Sequence, residues 1–492
     1  MIDFNVQPKK STPFPHYWEQ CVGSCHAYTA LRADYRQQLK KAHDEIGFEY
    51  IRFHGLFDDD MSVCIEKKDW NDNSLGIVYN FANIDNIIDF LLEIDMKPFF
   101  ELGFMPTCLA SGEKTVFHYK SNITLPKSDQ VWQELISAFI QHILTRYGQS
   151  EVEQWFFEVW NEPNLAFFFD GTQADYFHLY EITARAIKKL DSKLQVGGPA
   201  TSINAWIPEM IEFCEQNQVP LDFVSTHHYP TDDPLWESGL NTEDFFKQNG
   251  AQELKYPRGV LQKMTQQTNQ EAKQYPLYYT EWNVSALVGD AIHDQPYAAA
   301  MVAKTLADND GLVNGYSFWT FTDIFEENAQ IPGVFHGGFG LQTYNGIAKP
   351  TYRIFQLFHQ LGQQRLAVTN SSKNSTVELL AVRKNNDLQL MIYNHNTVDQ
   401  PIQAEDITIT LNHTKSDSFT GTKIQIDEQH SNPYKIWQQW GQPTYINQEE
   451  LTTLKVASQL SMEPFTAQNS QITLTIDPHA CVLICLNNFF QK

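Results

Sequence analysis

A chain of 492 residues is too long for one simple hydrophobic core, because single cores stop growing near about 250–300 residues, so a large unit and a smaller one are expected. The formal net charge of −24 repels phosphate backbones and anionic headgroups, which argues against nucleic acid and membrane surfaces as partners. No apolar run reaches the ~18–20 residues of a bilayer span, Met1–Ser11 lack a signal-peptide core, and the 7 cysteines imply no disulfide framework; the expected location is the cytoplasm.

Strand-like runs recur at Gln20–Ser24, Glu49–His54, Pro98–Leu102, Trp155–Trp160, Leu194–Gly198, Asp222–Thr226, Leu277–Thr280 and Gly315–Thr320. Several are continuous apolar runs bounded by turn residues, the pattern of strands buried on both faces. Helical stretches lie between them. Leu31, Tyr35, Leu39, Ala42 and Ile46 form one amphipathic face, and Ile84, Ile87, Ile88, Leu91 and Leu92 a second. Val131, Leu135, Phe139, Ile140 and Ile143 form a third, and Tyr297–Asp308 and Tyr352–Leu361 close the series. Such alternation points to a (β/α)8 TIM barrel over residues 14–350. An open doubly wound sheet shares this periodicity and is the alternative.

After Gly362 the texture becomes β-rich. Short runs occur at Val377–Val382, Leu388–Tyr393, Ile407–Leu411, Lys423–Ile426, Ile472–Ile476 and Cys481–Leu486. The alternation in Ile472–Ile476 marks a half-buried strand. A C-terminal β-sandwich over residues 360–492 is expected, with Asn432–Ser461 as an insertion of helical content.

Two strand ends carry chemistry. The run Trp155–Trp160 leads into Asn161-Glu162-Pro163-Asn164, and Leu277–Thr280 leads into Glu281-Trp282. Pro163 lacks an N–H and cannot continue a strand ladder. Both carboxylates fall where barrel strands end, on the face where such barrels act. Two facing carboxylates are what glycosidic cleavage needs, one protonated for the leaving oxygen and one ionised to attack. Glu101 and Glu158 lie inside apolar strands and are expected to be buried structural carboxylates paired with Arg52. His227 and His228 are adjacent on a strand, so they point to opposite faces and chelate poorly; one faces the site and the other packs. No metal-ligand spacing is present, in Cys21–His26 or elsewhere. His336-Gly-Gly-Phe-Gly340 reads as a tight loop near the eighth strand end.

The chain resembles glycoside hydrolase family 39, whose members include β-xylosidases and α-L-iduronidases. The resemblance runs through Ile51-Arg-Phe-His-Gly55, Pro98–Leu102, Trp160–Asn164, His227-His-Tyr229, Thr280–Asn283, Phe318–Asp323 and Phe325–Glu327, in the family's order. It implies Glu162 as acid/base, Glu281 as nucleophile and Asn161 as the partner of the sugar 2-OH. It also implies His54, His227, Tyr229 and Glu326 as substrate-side residues and Trp319 as the platform under the glycone. For the loop after strand eight, Glu326 is preferred over Glu327 although no motif fixes the spacing. The family further implies that residues 1–13 join the sandwich and that a homo-oligomer is possible; no cofactor is implied, because the two carboxylates suffice. The expected partner is a small carbohydrate, foremost a short β-xyloside cleaved with retention from the non-reducing end. The same chemistry on a glucoside, galactoside, arabinoside or uronide is the alternative, followed by a non-catalytic carbohydrate-binding barrel.

Overall fold

The computed structural model describes residues 2–238, 255–372, 375–412 and 418–491. Eight parallel strands close into a barrel: Cys21–His26, Tyr50–His54, Lys97–Leu102, Phe156–Val159, Gln195–Thr201, Phe223–His228, Leu277–Trp282 and Gly315–Phe318. Each pairs with the next, and the eighth returns to the first through Phe318↔Val22. That closure decides against the open doubly wound sheet.

The outer helices bury the faces expected from their periodicity. Ala33–Ile46 turns Tyr35, Leu39, Ala42 and Ile46 inward and ends at Gly47, whose φ of 85° suits a left-handed cap. Ala82–Glu93 buries Ile84, Ile87, Ile88 and Leu91. Gln173–Leu190 begins with a capping box between Thr172 and Asp175. No described helix is long and apolar enough to cross a membrane.

Side chains alternate along each strand, so the barrel interior is layered. Tyr50, Phe99, Phe156, Phe223 and Tyr278 make an aromatic floor, with Phe99 and Phe156 stacked at 4.8 Å. Two residues further along, Arg52, Glu101, Glu158 and Thr280 form a polar layer joined by hydrogen bonds and ion pairs. Above it lie the strand ends that carry the site.

The second unit is a nine-strand sheet wrapped around its own core of Phe4, Val6, Ile392, Ile409 and Ile484, among others. Its first member is the N-terminal strand Ile2–Pro13, antiparallel to Gln364–Asn370 and parallel to Glu405–Leu411. Strands Gln364–Asn370 and Met462–Gln468 add to the six read from the sequence. Leu380, Met391 and Leu483 turn away from this core and pack into the barrel's helical shell. The stretch after Asn432 is helical at Pro433–Gln439 and Gln448–Ala457, and its Trp437 and Leu454 cover Val334, Phe335 and Ile347 of the loop after strand eight.

Candidate active site

Arg52 organises the site from below. Its side chain is fully buried and reaches four partners from one guanidinium. Nε donates to Glu158 at 2.6 Å, Nη1 to Glu281 at 2.8 Å, and Nη2 to Asn161 at 2.9 Å, with Glu101 at 3.1 Å from Nη2. The planar fork makes this possible. Glu101 and Glu158 thus pair with Arg52, as buried carboxylates require. Glu101 also holds His54 through Nδ1 at 2.6 Å.

Glu162 is aimed by a sharp turn after strand four. Trp160 and Glu162 have φ of 69° and 42°, a left-handed region that costs non-glycine residues roughly 1–3 kcal/mol each. The surrounding structure enforces it: the Glu162 N–H donates to the Ala200 carbonyl at 2.8 Å, and the Trp160 indole to the Phe168 carbonyl at 2.9 Å. Glu281 is the penultimate residue of strand seven, where a register shift lies between Tyr279 and Trp282.

The two carboxyls share His227. Its Nδ1 lies 3.0 Å from Glu162 and 3.6 Å from Glu281. One oxygen of each carboxyl and a ring nitrogen of His227 all lie within 4.8 Å of one another. Inverting enzymes keep roughly 6.5–9.5 Å between carboxyls to admit a water, and retaining ones about 5–5.5 Å; the pair here has the short geometry. Burial pushes both carboxyls up. For Glu162 the charges of Glu281 and Asp232 add to that push, and it goes well above the ordinary carboxylate range. For Glu281 burial is opposed by Arg52, His54 and the Tyr229 hydroxyl, which donates to it at 3.0 Å. With one negative charge shared between them, the charge therefore resides on Glu281 and the proton on Glu162.

The described residues hold two groupings whose donor atoms are close enough to grip a cation: Glu162, His227 and Glu281, and separately His16, Glu19 and His359. In the first, Arg52 stands 2.8 Å from Glu281 and repels a cation. In the second, the Nδ1 atoms of both histidines already bond Glu19, at 2.7 and 2.9 Å.

The profile described as "Glycosyl hydrolases family 39" matches residues 3–471. The chain belongs to glycosyl hydrolase family 39. It is 49% identical over 479 residues to a β-xylosidase of Caldicellulosiruptor saccharolyticus, covering 96% of this chain and 95% of that one. A β-xylosidase of Geobacillus stearothermophilus is 36% identical over 460 residues, covering 92% and 88%. The crystal structure of a monomeric β-xylosidase from Caulobacter crescentus CB15 superposes with a TM-score of 0.85 at 29% identity, covering 98% and 99%. The chain is accordingly an O-glycosyl hydrolase of the retaining, two-carboxylate kind.

In this family-39 hydrolase Glu162 and Glu281 open into a cavity of about 440 Å³. His54, Asn161, Tyr229 and Trp319 line it, while His227 stands behind Glu162. The Trp319 ring lies 4.7 Å from that of His54. Glu326 is the exception. It lies off the cavity wall, where Arg32 binds it at 3.2 Å, and Glu327 lines the cavity instead, 3.6 Å from His54. Burial and the nearby Glu281 push Glu327 up to about 8, against the pull of His54. His228 packs behind the wall, stacked on Tyr279 at 4.0 Å and bonded to the Tyr316 hydroxyl.

Sequence reasoning missed the site roles of Arg52, Thr280 and Asp232. Arg52 and His54 are two apart on one strand, so they share a face, and that spacing was the available signal. The Asp232 carboxylate accepts from the Tyr229 N–H at 2.8 Å, lines the cavity and is pushed up by burial to about 7; nothing local distinguishes it from a solvated loop acid.

Proposed function

We propose that this chain is an exo-acting β-xylosidase in which Glu281 is the nucleophile and Glu162 the acid/base. The observation that carries the reading is the geometry in which the two carboxyls share His227 at cavity depth. Glu162 protonates the leaving oxygen while Glu281 attacks the anomeric carbon. Once Glu281 is glycosylated its charge is gone, the push on Glu162 weakens, and Glu162 takes a proton from the incoming water. Asn161, held by Arg52, is placed for the 2-OH, and Trp319 for the apolar face of the sugar ring.

The lining favours a neutral glycone. Among the described residues it carries no Lys or Arg, so a uronide carboxylate finds no cationic partner there. Exo action fits a rim bridged on one side: the His118 N–H in the loop after strand three donates to the Glu327 carbonyl in the loop after strand eight at 2.7 Å. A cytoplasmic location fits the seven free thiols. The deciding experiment is an aryl-glycoside panel with wild type, Glu162→Ala and Glu281→Ala, with and without azide. Glu281→Ala is expected to be inactive alone and to yield the inverted glycosyl azide with azide. Glu162→Ala is expected to keep activated substrates turning over and to give the retained azide product. Full activity in both variants overturns the assignment, and preference for another sugar overturns the xyloside.

A further inference from the structure

A line of polar side chains runs from the barrel axis to Glu162. Arg52 Nε donates to Glu158 Oε2 at 2.6 Å, and the Thr280 hydroxyl donates to Glu158 Oε1 at 2.8 Å. Thr280 Oγ1 lies 3.1 Å from His227 Nε2, and His227 Nδ1 lies 3.0 Å from Glu162 Oε1. Thr280, Glu158 and His227 are buried.

Counting protons fixes the direction of each bond. A threonine hydroxyl has one proton. Glu158, ion-paired with Arg52, has none to give, so the Thr280 proton is spent on Glu158. The Thr280 oxygen is then only an acceptor, and the 3.1 Å contact requires a proton on His227 Nε2. A second proton on that ring is disfavoured by burial and by Arg52, His54 and His228 around it. His227 Nδ1 is therefore bare, and the 3.0 Å contact is a hydrogen bond only if Glu162 supplies the proton.

We propose that Thr280 is a positioning residue for the acid/base: anchored on Glu158, it locks His227 as its Nε2–H tautomer and reserves a bare Nδ1 for the carboxyl proton of Glu162. This rests on the reading of Glu162 as acid/base. The lock serves both half-reactions. In the free enzyme it stabilises the protonated carboxyl. In the glycosyl-enzyme it sets a lone pair against the Glu162 carboxylate, a repulsion relieved when Glu162 takes a proton from water. If the tautomer were free, Nδ1–H would donate to the carboxylate and favour the ionised form, the wrong one for the first step. The other groups facing Glu162 are Glu281, Asp232, Ser202 and Arg52, and those facing His227 are Glu281, Arg52, His54 and His228; none of them supplies an acceptor at Nε2 in place of Thr280.

Two measurements test it. In wild-type enzyme with ¹⁵N-labelled histidine, the His227 ring, assigned by its loss in His227→Gln, should show a protonated Nε2 and a bare Nδ1; a protonated Nδ1 overturns the proposal without any variant at Thr280. Thr280→Val should move the basic limb of kcat/KM for an aryl xyloside toward acid by about one pH unit or more and mix the His227 tautomers, and Thr280→Ser should restore both. An unchanged limb and tautomer in Thr280→Val also overturn it. Failure of the underlying reading shows separately: Glu162→Gln would then hydrolyse poorly activated xylosides as fast as wild type, whatever the state of His227.

Discussion

The guanidinium of Arg52 and the carboxylate of Glu281 meet at 2.8 Å with both side chains buried. The same cation sits 2.6 Å from Glu158 and 3.1 Å from Glu101. Removing one partner from a buried ion pair costs about 3–5 kcal/mol, and here one removal strands several acids. Arg52→Met should lower the urea midpoint sharply or abolish soluble protein. Arg52→Lys should keep more of the fold yet lose activity, because one ammonium cannot reproduce the fork. Urea unfolding and xyloside assays read the two effects.

The raised affinity of Glu162 for its proton has a kinetic signature. On the roles proposed above, catalysis needs Glu281 ionised and Glu162 protonated, so kcat/KM should follow a bell in pH. Its basic limb belongs to Glu162, which burial and Glu281 lift well above the ordinary range. In Glu162→Gln, assayed on an aryl xyloside with a good leaving group, that limb should vanish while the acid limb stays.

Asp58 links stability to pH. Burial pushes its carboxyl up to about 8, and its partner is the Ser121 hydroxyl at 2.5 Å. A group whose folded pKa exceeds its unfolded value of about 3.9 binds protons preferentially in the fold. Its contribution is fully present below about 4 and is lost as pH rises through about 8. Asp58→Asn should flatten that decline, so its thermal midpoint should gain on wild type between pH 5 and pH 9 (roughly the window around that value). Glu327, pushed up to about 8, and Asp232, to about 7, act in the same direction. A constant gap between the two proteins across that window contradicts the assignment.

Gly23 makes room for Trp319, the proposed sugar platform. A Cβ on Gly23 would sit 2.5 Å from Cε3 of Trp319 and 3.2 Å from the Phe318 carbonyl. Gly23→Ala must displace the ring or the strand beneath it. A misplacement of about 1 Å can cost on the order of 10²-fold in rate, so kcat/KM for xylosides should fall by about that factor, with KM rising.

Lys349 ties the loop after strand eight. Fully buried, it lies 2.7 Å from Asp294 and 2.8 Å from Asp323 and donates to the Gly338 carbonyl at 2.8 Å. Lys349→Met leaves two buried acids without a cation, at a cost of about 3–5 kcal/mol. Calorimetry should show the loss, and Lys349→Met/Asp294→Asn/Asp323→Asn should recover much of it.

Glu162 and Glu281 were legible because an apolar strand that stops at a carboxylate signals position without any tertiary information. The Arg52 pairing was legible because charges inside apolar strands must neutralise one another. Legibility ended where periodicity does. Glu326 and Glu327 are neighbours in a loop with no repeat, and partners far away in sequence, Arg32 for Glu326 and His54 for Glu327, decide which one faces the cavity. Thr280 and Glu281 are adjacent, so a period of two puts them on opposite faces, yet the register shift beside them lets both reach interior partners. Met462–Gln468 is largely exposed, contains Pro464 and lacks alternation; its pairing with Ser418–Ile426 holds it as a strand.

The strand Ile2–Pro13 completes a sheet whose other members begin at Gln364. At synthesis rates of about 5–20 residues per second, it waits on the order of 20–70 s for Gln364–Asn370 to emerge. Throughout that interval the whole barrel sequence is being made, while an apolar-faced strand bearing Ile2, Phe4 and Val6 has no hydrogen-bonding neighbour. The growing chain therefore carries an aggregation-prone edge while the barrel is being translated, and Ile2–Pro13 joins its sheet only after the barrel segment has been made. Cutting the gene after the barrel would leave that edge permanently open.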